Sequence, residues 1–365
     1  MHACAAARGT STTKTRIMSD SSLTGRKFHL DILRILAIFL VLFNHTAAFL
    51  HPFSHVPNSL PEFGALVVSI CDKVAVPLFF MISGALLLVR EESIGQLLKK
   101  RVWRCVVVIA FLQVFQHGYA HFVHGATFGY MEFLRHCVVG LDCQYGNWAV
   151  WFLYAYLAYI LMLPLLRVMV KHMTNLHFLY LFAVQILLCA FVPCEKTVCS
   201  NWLPFCDTVF LYVLAGYYVE HRVEVSCIEK KHLVLLIAGS VCCVLLSAVM
   251  CEVARLLAGV ETIRQGVLCF KGGLLVPCIT IYLLVKRWAQ SLNPFRWGGL
   301  LKTLGGAVFT IMLTENILRW VAGICVFRCI GGGYAADICT VLLACAIGFP
   351  VGILLKRIPV VNRYI

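Results

Sequence analysis

Apolar residues run along this chain in continuous stretches of about twenty positions, the length that a helix needs to cross a bilayer. Polar residues are gathered in short segments between these stretches and do not alternate with apolar ones inside them. Alternation is typical of a membrane β-barrel, whereas continuous runs favour helices. Because lipid offers the backbone no hydrogen-bond partner, a spanning segment must satisfy its own backbone. The pattern predicts an all-α polytopic integral membrane protein.

Ten of these stretches are predicted membrane spans, and they divide the chain into three parts. A polar tail covers 1–28, and its residues 1–17 are expected to be dispensable because Met18 is a plausible start. A single transmembrane domain covers 29–357, and a short tail covers 358–365. The predicted spans lie near 29–50, 64–89, 103–120, 147–166, 177–193, 207–220, 232–252, 267–285, 304–323 and 336–355.

Composition supports this location. Of the 365 residues, 61% are hydrophobic and only 13% are charged, and the mean hydropathy is +0.87. A water-soluble domain carries more charged and polar residues than this on its surface. We therefore expect a multi-pass protein of the cell membrane, either a plasma membrane or an inner membrane, with the lipid bilayer as its surroundings.

The positive residues are distributed unevenly between the two sides of the predicted bundle. The tails and loops on the side of the N-terminus hold 22 of the 31 lysines and arginines. Cytoplasmic loops are the ones enriched in lysine and arginine, so both termini are predicted to be cytoplasmic. The same bias accounts for most of the net charge of +14, and we do not expect nucleic-acid binding.

The first span contains three ionisable residues, Asp31, Arg34 and His45. Arg34 and His45 are eleven positions apart, which on a helix places them within about 20° of one face and about 16 Å apart along the axis. Asp31, three residues before Arg34, is close enough to pair with it. Ionisable residues inside a membrane usually mark a functional path. The alternative is that Asp31 and Arg34 extend to the headgroups and that His45 caps a neighbouring backbone group.

Four stretches of this sequence resemble the acyltransferase-3 family of integral membrane proteins. The family's signature is an arginine and a histidine separated by ten residues in the first helix, and Arg34 and His45 meet that spacing. A segment of the second span leading into Ser-Gly, a basic start of the third span and a Trp-Phe-Leu span ending at a proline are similar to the family as well. The stretches are RKFHLDILRILAIFLVLFNHT (26–46), VPLFFMISGALLL (76–88), KKRVWRCVVVIAF (99–111) and NWAVWFLYAYLAYILMLPLL (147–166).

The ninth span departs from the family pattern. Where the family often has Gly-Ile-Tyr-Leu-Ile-His, this chain reads TIMLTE (310–315), which puts Glu315 in place of the histidine and Thr310 in place of the glycine. A carboxylate would then replace the second histidine. Glu315 is a candidate second polar site, and Arg319, one turn further on, is its expected partner.

The resemblance implies transfer of an acyl group, usually acetyl, from cytoplasmic acyl-CoA to a hydroxyl of a surface glycan, a lipid-linked sugar or a small molecule. His45 would be the general base or would carry the acyl group transiently, since histidine titrates near neutral pH. Arg34, oriented by Asp31, would hold the donor. Acetyl-CoA or another acyl-CoA is the expected donor substrate, and no metal is expected.

Further donor contacts are candidates at the start of the third span and in the second span. Arg101 and Arg104, with Lys99 and Lys100, lie on the cytoplasmic side and would meet the phosphates of CoA; ordinary topology-setting charge explains them equally well. Ser83 offers a hydroxyl, although Ser83-Gly84 is first a small-residue site at which two helices pack closely.

Two other residue clusters are weighed against this chemistry. His117, His121 and His124 share one helix face, but the outer two are about 10 Å apart along the axis, so all three cannot bind one metal. A metal site would need two of them together with His51 or His55. The 19 cysteines include sets in two predicted outer loops, where disulfides are an open alternative; these are Cys137 and Cys143, and Cys194, Cys199 and Cys206.

Two functions of other classes fit the same architecture. A transporter or exporter of a glycan or small metabolite would also have ten spans and intramembrane charges. A sensor could keep the fold without catalysis, and the glutamate in place of a histidine at position 315 keeps that alternative open.

Overall fold

The computed structural model describes residues 27–46, 60–125, 149–191, 208–258, 271–332 and 334–364, together with 127, 129–131 and 134. Throughout this described part the chain is helical, and it contains no strand. The fold class predicted from the apolar runs is confirmed in that respect.

The described part of the chain contains twelve helices longer than five residues. Short helical turns at Ile94–Leu97, Val225–Cys227 and Lys271–Leu274 and a π-helical turn at Leu98–Val102 connect some of them. The helices are α1 (Phe28–His45), α2 (Leu60–Asp72), α3 (Ala75–Leu87), α4 (Trp103–His124), α5 (Ala149–His172), α6 (Asn175–Phe191), α7 (Thr208–His221), α8 (Lys230–Ala258), α9 (Leu275–Gln290), α10 (Pro294–Ile330), α11 (Tyr334–Leu355) and α12 (Pro359–Tyr364).

Six helical segments within the described residues are long and apolar enough to cross a membrane. They are 28–45, 63–87, 150–172, 230–250, 296–330 and 335–355. Each of the other four predicted spans also contains a helix, in α4, α6, α7 and α9. The protein is therefore a multi-pass helical membrane protein, and the full count of ten spans stays a prediction.

The second predicted span is broken into α2 and α3 at Lys73 and Val74. Pro77 explains the position of the break, because proline has no N–H to donate to the carbonyl four residues earlier and its ring crowds that carbonyl. The affected carbonyl belongs to Lys73. Apolar residues flank the break on both sides, so the sequence predicts one span here although Asp72 and Lys73 stand at the break.

Burial separates central helices from peripheral ones. Of the best 18-residue window in 63–87, 67% of residues are buried inside the protein, against 17% in the corresponding window of 230–250. The second span therefore lies at the centre, and α8 presents most of its apolar surface outward, as a lipid-facing helix does. α1 is also central and packs against α2, α3, α9, α10 and α11.

Small residues allow α3 and α7 to cross in close contact. A Cβ added to Gly84 would overlap the backbone carbonyl of Val213, and one added to Gly216 would overlap that of Met81. Such close approach of helix backbones is typical of small residues in membrane bundles. The packing role predicted for Ser83-Gly84 is confirmed.

Candidate active site

The pair of Asp31 and Arg34 is formed as the sequence predicts. Arg34 Nη1 donates to Asp31 Oδ1 over 2.6 Å. The Asp31 side chain is only 1% exposed and that of Arg34 is 27% exposed, so the carboxylate is buried while the guanidinium remains accessible. A buried carboxylate that holds one end of a planar guanidinium fixes its orientation.

Gly305 of α10 makes room for Asp31. A Cβ at position 305 would lie 2.7 Å from Asp31 Oδ1 and 2.9 Å from Asp31 Cβ. Gly298 makes room in the same manner for the ring of Phe28, at the start of α1. Glycines on α10 thus admit the bulky side chains of α1, and the two helices pack closely near their N-terminal ends.

His45, in the last turn of α1, meets Glu315 of α10. Its Nδ1 lies 2.8 Å from Glu315 Oε2, and the Glu315 side chain is only 1% exposed. The imidazole is 20% exposed. The second carboxylate oxygen, Oε1, is buried without a hydrogen-bond partner among the described residues. The sequence analysis selected both residues separately, and the fold brings them together.

This contact defines the tautomer of the neutral His45 ring. A carboxylate only accepts hydrogen bonds, so Nδ1 carries the proton and donates it to Glu315. In the neutral ring Nε2 then keeps its lone pair. Hydrolase triads hold a histidine in this tautomer by the same kind of contact with a carboxylate, and there the ring acts as a general base.

The expected pair between Arg319 and Glu315 is not formed. Arg319 Nη1 instead donates to the backbone carbonyl of His45, and Nη2 donates to Asn316 Oδ1 over 2.7 Å. The physical reason is that the end of α1 leaves carbonyls without an intrahelical partner, and a guanidinium one turn beyond Glu315 can reach them. Arg319 therefore caps α1 and holds the backbone of His45.

The α1 and α10 helices run parallel through these contacts. Phe28 faces Gly298, Asp31 faces Gly305 and His45 meets Glu315, so contact positions advance in the same direction along both helices. α1 and α10 contain the first and ninth predicted spans. Their parallel order agrees with the predicted topology, in which odd-numbered spans enter the membrane from the same side. A single pair of helices thus holds Arg34 at one level and the dyad of His45 and Glu315 at another.

The basic start of the third span is held by ion pairs of its own. Arg101 donates Nε and Nη2 to the two carboxylate oxygens of Glu92 over 2.9 and 2.7 Å, and Arg167 Nη2 reaches Glu92 Oε2 over 3.1 Å. Hydrogen bonding by Arg101 is the main cause that lowers the pKa of Glu92 to about 2. Arg104 Nε donates to the carbonyl of Tyr364 in α12 over 2.7 Å.

These contacts change the ranking of the candidate donor-binding residues. Arg101 and Arg104 have protein partners, whereas Lys99 and Lys100 beside them are exposed. The Ser83 hydroxyl donates to the Phe79 carbonyl of its own helix over 2.9 Å. A hydroxyl used in this way serves packing, and Ser83 does not join the other site residues through any contact that the structure describes.

On the histidine-rich face of α4, the described contact of His117 lies within its own helix. His117 Nδ1 lies 2.7 Å from the Gln113 carbonyl one turn earlier. Among the described residues no group of three or more His, Cys, Asp and Glu side chains is placed to hold a metal ion. The side chain of His124, the whole of His51 and His55, and the cysteines of the two outer loops lie outside the described residues.

Three polar residues near the dyad were not selected as site residues from the sequence. Lys73 donates from Nζ to Asn44 Oδ1, and Asn44 directly precedes His45 on α1. Asp72 is 4% exposed, and its Oδ1 is buried without a hydrogen-bond partner among the described residues. The available signal was the adjacent acid and base, Asp72 and Lys73, inside an otherwise apolar run.

Comparison with known proteins gives one match. A sequence model of the acyltransferase-3 family, described as an acyltransferase domain, matches residues 28–357. No curated protein and no solved structure matches the chain. The match includes α1, α10 and the contacts between these two helices. The chain therefore belongs to the acyltransferase-3 family, a family of membrane acyltransferases.

Proposed function

We propose that this protein is a membrane-embedded O-acyltransferase that moves an acyl group, in the simplest case acetyl, from cytoplasmic acyl-CoA to a hydroxyl. The acceptor is a surface glycan, a lipid-linked sugar or a small hydroxylated molecule. The observation that carries this proposal is the contact of 2.8 Å between His45 Nδ1 and Glu315 Oε2. It supplies an oriented base within a family of acyltransferases.

In the proposed reaction His45 accepts one proton, and the acyl group moves from the thioester sulfur to the hydroxyl oxygen. His45 Nε2 takes the proton from the acceptor hydroxyl while the oxygen attacks the thioester carbonyl. The C–O bond forms, the C–S bond breaks, and the CoA thiolate leaves and takes the proton from the imidazolium. The buried carboxylate of Glu315 stabilises the imidazolium that exists between these steps. An alternative order, in which Nε2 first carries the acyl group, uses the same atom.

Arg34 is proposed to hold the donor. Its side chain is 27% exposed, and the described contact with Asp31 engages Nη1. Arginine suits the binding of phosphate or the stabilisation of negative charge better than a flexible lysine does. Arg34 lies about 16 Å from His45 along α1, so a donor with a long arm could reach both residues. Lys99 and Lys100, with Arg101 and Arg104, would attract its phosphates.

The remaining parts of the proposal concern topology. Both termini and the start of α4 lie in the cytoplasm, and a single transmembrane domain of ten spans covers 29–357 in a cell membrane. The bias of lysine and arginine along the chain supports this orientation. The parallel packing of α1 and α10 is consistent with it.

The test is an acyl-transfer assay with purified protein in detergent or vesicles. Radiolabelled acetyl-CoA is mixed with a glycan extract of the host cell, and label in base-labile esters is counted. We expect transfer by the parent protein and loss of transfer for His45→Ala. His117→Ala is the matched control, because that histidine also contacts a neighbouring group but lies on α4. Undiminished transfer by His45→Ala would disprove the catalytic assignment.

A carrier is the second candidate, and one observation favours it. A broken span with charged residues at the break, as at Asp72 and Lys73, is a frequent feature of transporter binding sites. A carrier would move intact solute across vesicle membranes whether or not acyl-CoA is present. An acyltransferase would instead produce ester only when acyl-CoA is supplied.

A further inference from the structure

The break between α2 and α3 places an acid and a base side by side at membrane depth. Asp72 ends α2, and Lys73 follows it in the connecting turn. Irregular backbone inside a membrane is tolerated where it is buried in protein or lines a cavity. Here α9 packs on the break, with Cys278 Sγ 4.0 Å from the carbonyl of Val74, and α8 packs against α2. These two helices cover one side of the break, while Cys71, directly before Asp72, remains exposed.

The polar atoms of the break do not satisfy one another completely. The Lys73 ammonium donates to Asn44 Oδ1 on α1. Asp72 Oδ1 is buried and has no hydrogen-bond partner within the described residues, although the residue is only 4% exposed. A carboxylate oxygen in this state carries a large desolvation cost unless a donor meets it. The break thus offers a place for a hydrogen-bond donor that the described chain does not fill.

The contact between Lys73 and Asn44 locates the break relative to the catalytic dyad. Asn44 and His45 are neighbours on α1, and their Cα atoms are about 3.8 Å apart. The ammonium of Lys73 thus reaches the level of the membrane at which His45 meets Glu315. A second buried oxygen without a partner in the described chain, Glu315 Oε1, lies at this same level.

The chemistry of the break identifies the class of ligand. A hydroxyl can donate its proton to the carboxylate of Asp72 and accept a hydrogen bond from the ammonium of Lys73. A molecule with neighbouring hydroxyls can use both groups at once. The phosphates of acyl-CoA do not fit here, because the carboxylate of Asp72 would repel them, and its pantetheine arm has no pair of neighbouring hydroxyls. The break consequently matches the acceptor better than acyl-CoA.

We propose that Asp72 and Lys73 form an acceptor subsite that binds a polyhydroxylated molecule and holds one of its hydroxyls toward His45. The assignment rests on the acyltransferase function proposed above and adds to it the residues that recognise the acceptor. Both residues act by binding and positioning, and His45 remains the group that takes the proton. Asp72→Asn and Lys73→Met should weaken acceptor binding without changing the use of the donor.

Steady-state kinetics with the host glycan extract provide the first measurement, with acceptor concentration expressed as total hexose. Loss of a hydrogen bond to a charged group should raise the half-saturating concentration by about 10- to 100-fold for Asp72→Asn. The KM for acetyl-CoA and the slow hydrolysis of acetyl-CoA without acceptor should stay within about two-fold of the parent values. A change in donor KM, or an unchanged half-saturating concentration, would overturn the assignment.

Binding without turnover provides the second measurement. In a His45→Ala background the extract should raise the unfolding temperature, because a ligand that binds only the folded state stabilises it. Adding Asp72→Asn should remove that shift, and a shift of equal size would overturn the subsite. Ser247→Ala, which removes another buried hydroxyl bonded to the Cys243 carbonyl, is the control that should keep the shift. Transfer activity surviving His45→Ala would contradict the proposed function instead.

Discussion

The imidazole of His45 and the carboxylate of Glu315 lie 2.8 Å apart across the contact of α1 and α10, although 270 positions separate them in the chain. The Glu315 side chain is almost completely buried, whereas the imidazole keeps a fifth of its surface exposed. In such a pair the buried carboxylate fixes the orientation and the tautomer of the imidazole.

Replacing Glu315 with glutamine should therefore impair catalysis while the side-chain volume is kept. An amide can donate to Nδ1 and favour the wrong tautomer, so we expect the rate of transfer to fall by about 10²- to 10⁴-fold. The measurement is kcat for acyl transfer. Glu220→Gln is the control, since the Glu220 side chain is also buried but contacts His29, Lys27 and Tyr282. It should lower the unfolding temperature and leave kcat of the folded protein within a few-fold.

Adding a methyl group at Gly305 should disturb the pair of Asp31 and Arg34. A Cβ there would lie 2.7 Å from Asp31 Oδ1, so Gly305→Ala must displace a buried carboxylate. We expect a loss of about 1–3 kcal/mol of stability and a weaker interaction with donor. Gly299→Ala on the same helix is the control, because nothing lies within 4 Å of its Cβ position. Equal unfolding temperatures of the two variants would contradict the tight contact.

Arg34→Lys keeps the positive charge and removes the planar fork. Asp31 can still pair with an ammonium, but bidentate recognition of the donor is lost, so the KM for acyl-CoA should rise about 10-fold. Initial rates at varied acetyl-CoA measure this effect. Arg222→Lys, which changes an arginine bonded to the Met173 carbonyl, should leave the KM unchanged. Parent-like donor kinetics for Arg34→Lys would rule out donor positioning.

The ion-pair network at the start of α4 should stabilise the protein in a defined pH range. Arg101 lowers the pKa of Glu92 from 4.5 to about 2. A carboxyl with a depressed pKa contributes stability above its unfolded-state pKa, and that contribution disappears as the pH falls from about 4.5 toward about 2.

Glu92→Gln should show less of this acid sensitivity than the parent. Unfolding temperatures measured at intervals between pH 6 and the acid limit of solubility, about pH 3, give the comparison. We expect the parent to lose stability more steeply than Glu92→Gln, whereas Glu91→Gln should follow the parent because that side chain is 89% exposed. Parallel curves for the parent and Glu92→Gln would contradict the assigned pair.

The sequence predicted those features that depend on one helix at a time. Helical periodicity placed Arg34 and His45 on one stripe and paired Asp31 with Arg34, and the 2.6 Å contact confirms that pair. Residue size predicted the packing at Gly84, where a Cβ would overlap the Val213 carbonyl. Family resemblance selected Glu315 as a second polar position, and the match over 28–357 confirms the family.

Features that depend on which helices are neighbours were not predictable in this way. Periodicity identifies a face but not the helix that covers it, so the contact between His45 and Glu315 and the capping of α1 by Arg319 appear only in the fold. The same holds for Arg101, whose partner Glu92 lies nine residues away in a connecting loop. The break at Lys73 was not predicted because the apolar residues on its two sides together have the length of one span.

In the proposed function, the separation of Arg34 and His45 along α1 sets the length that a donor must have to reach both residues. Because Arg34 and His45 lie on one continuous helix, their side chains stay far apart. The glycines of α10 also hold the two helices in close contact. Along the axis of α1, Arg34 and His45 are about 16 Å apart. Truncated thioesters without the pantetheine arm and nucleotide would reach only one of these two residues, and selectivity for full-length CoA donors would follow from helix geometry alone.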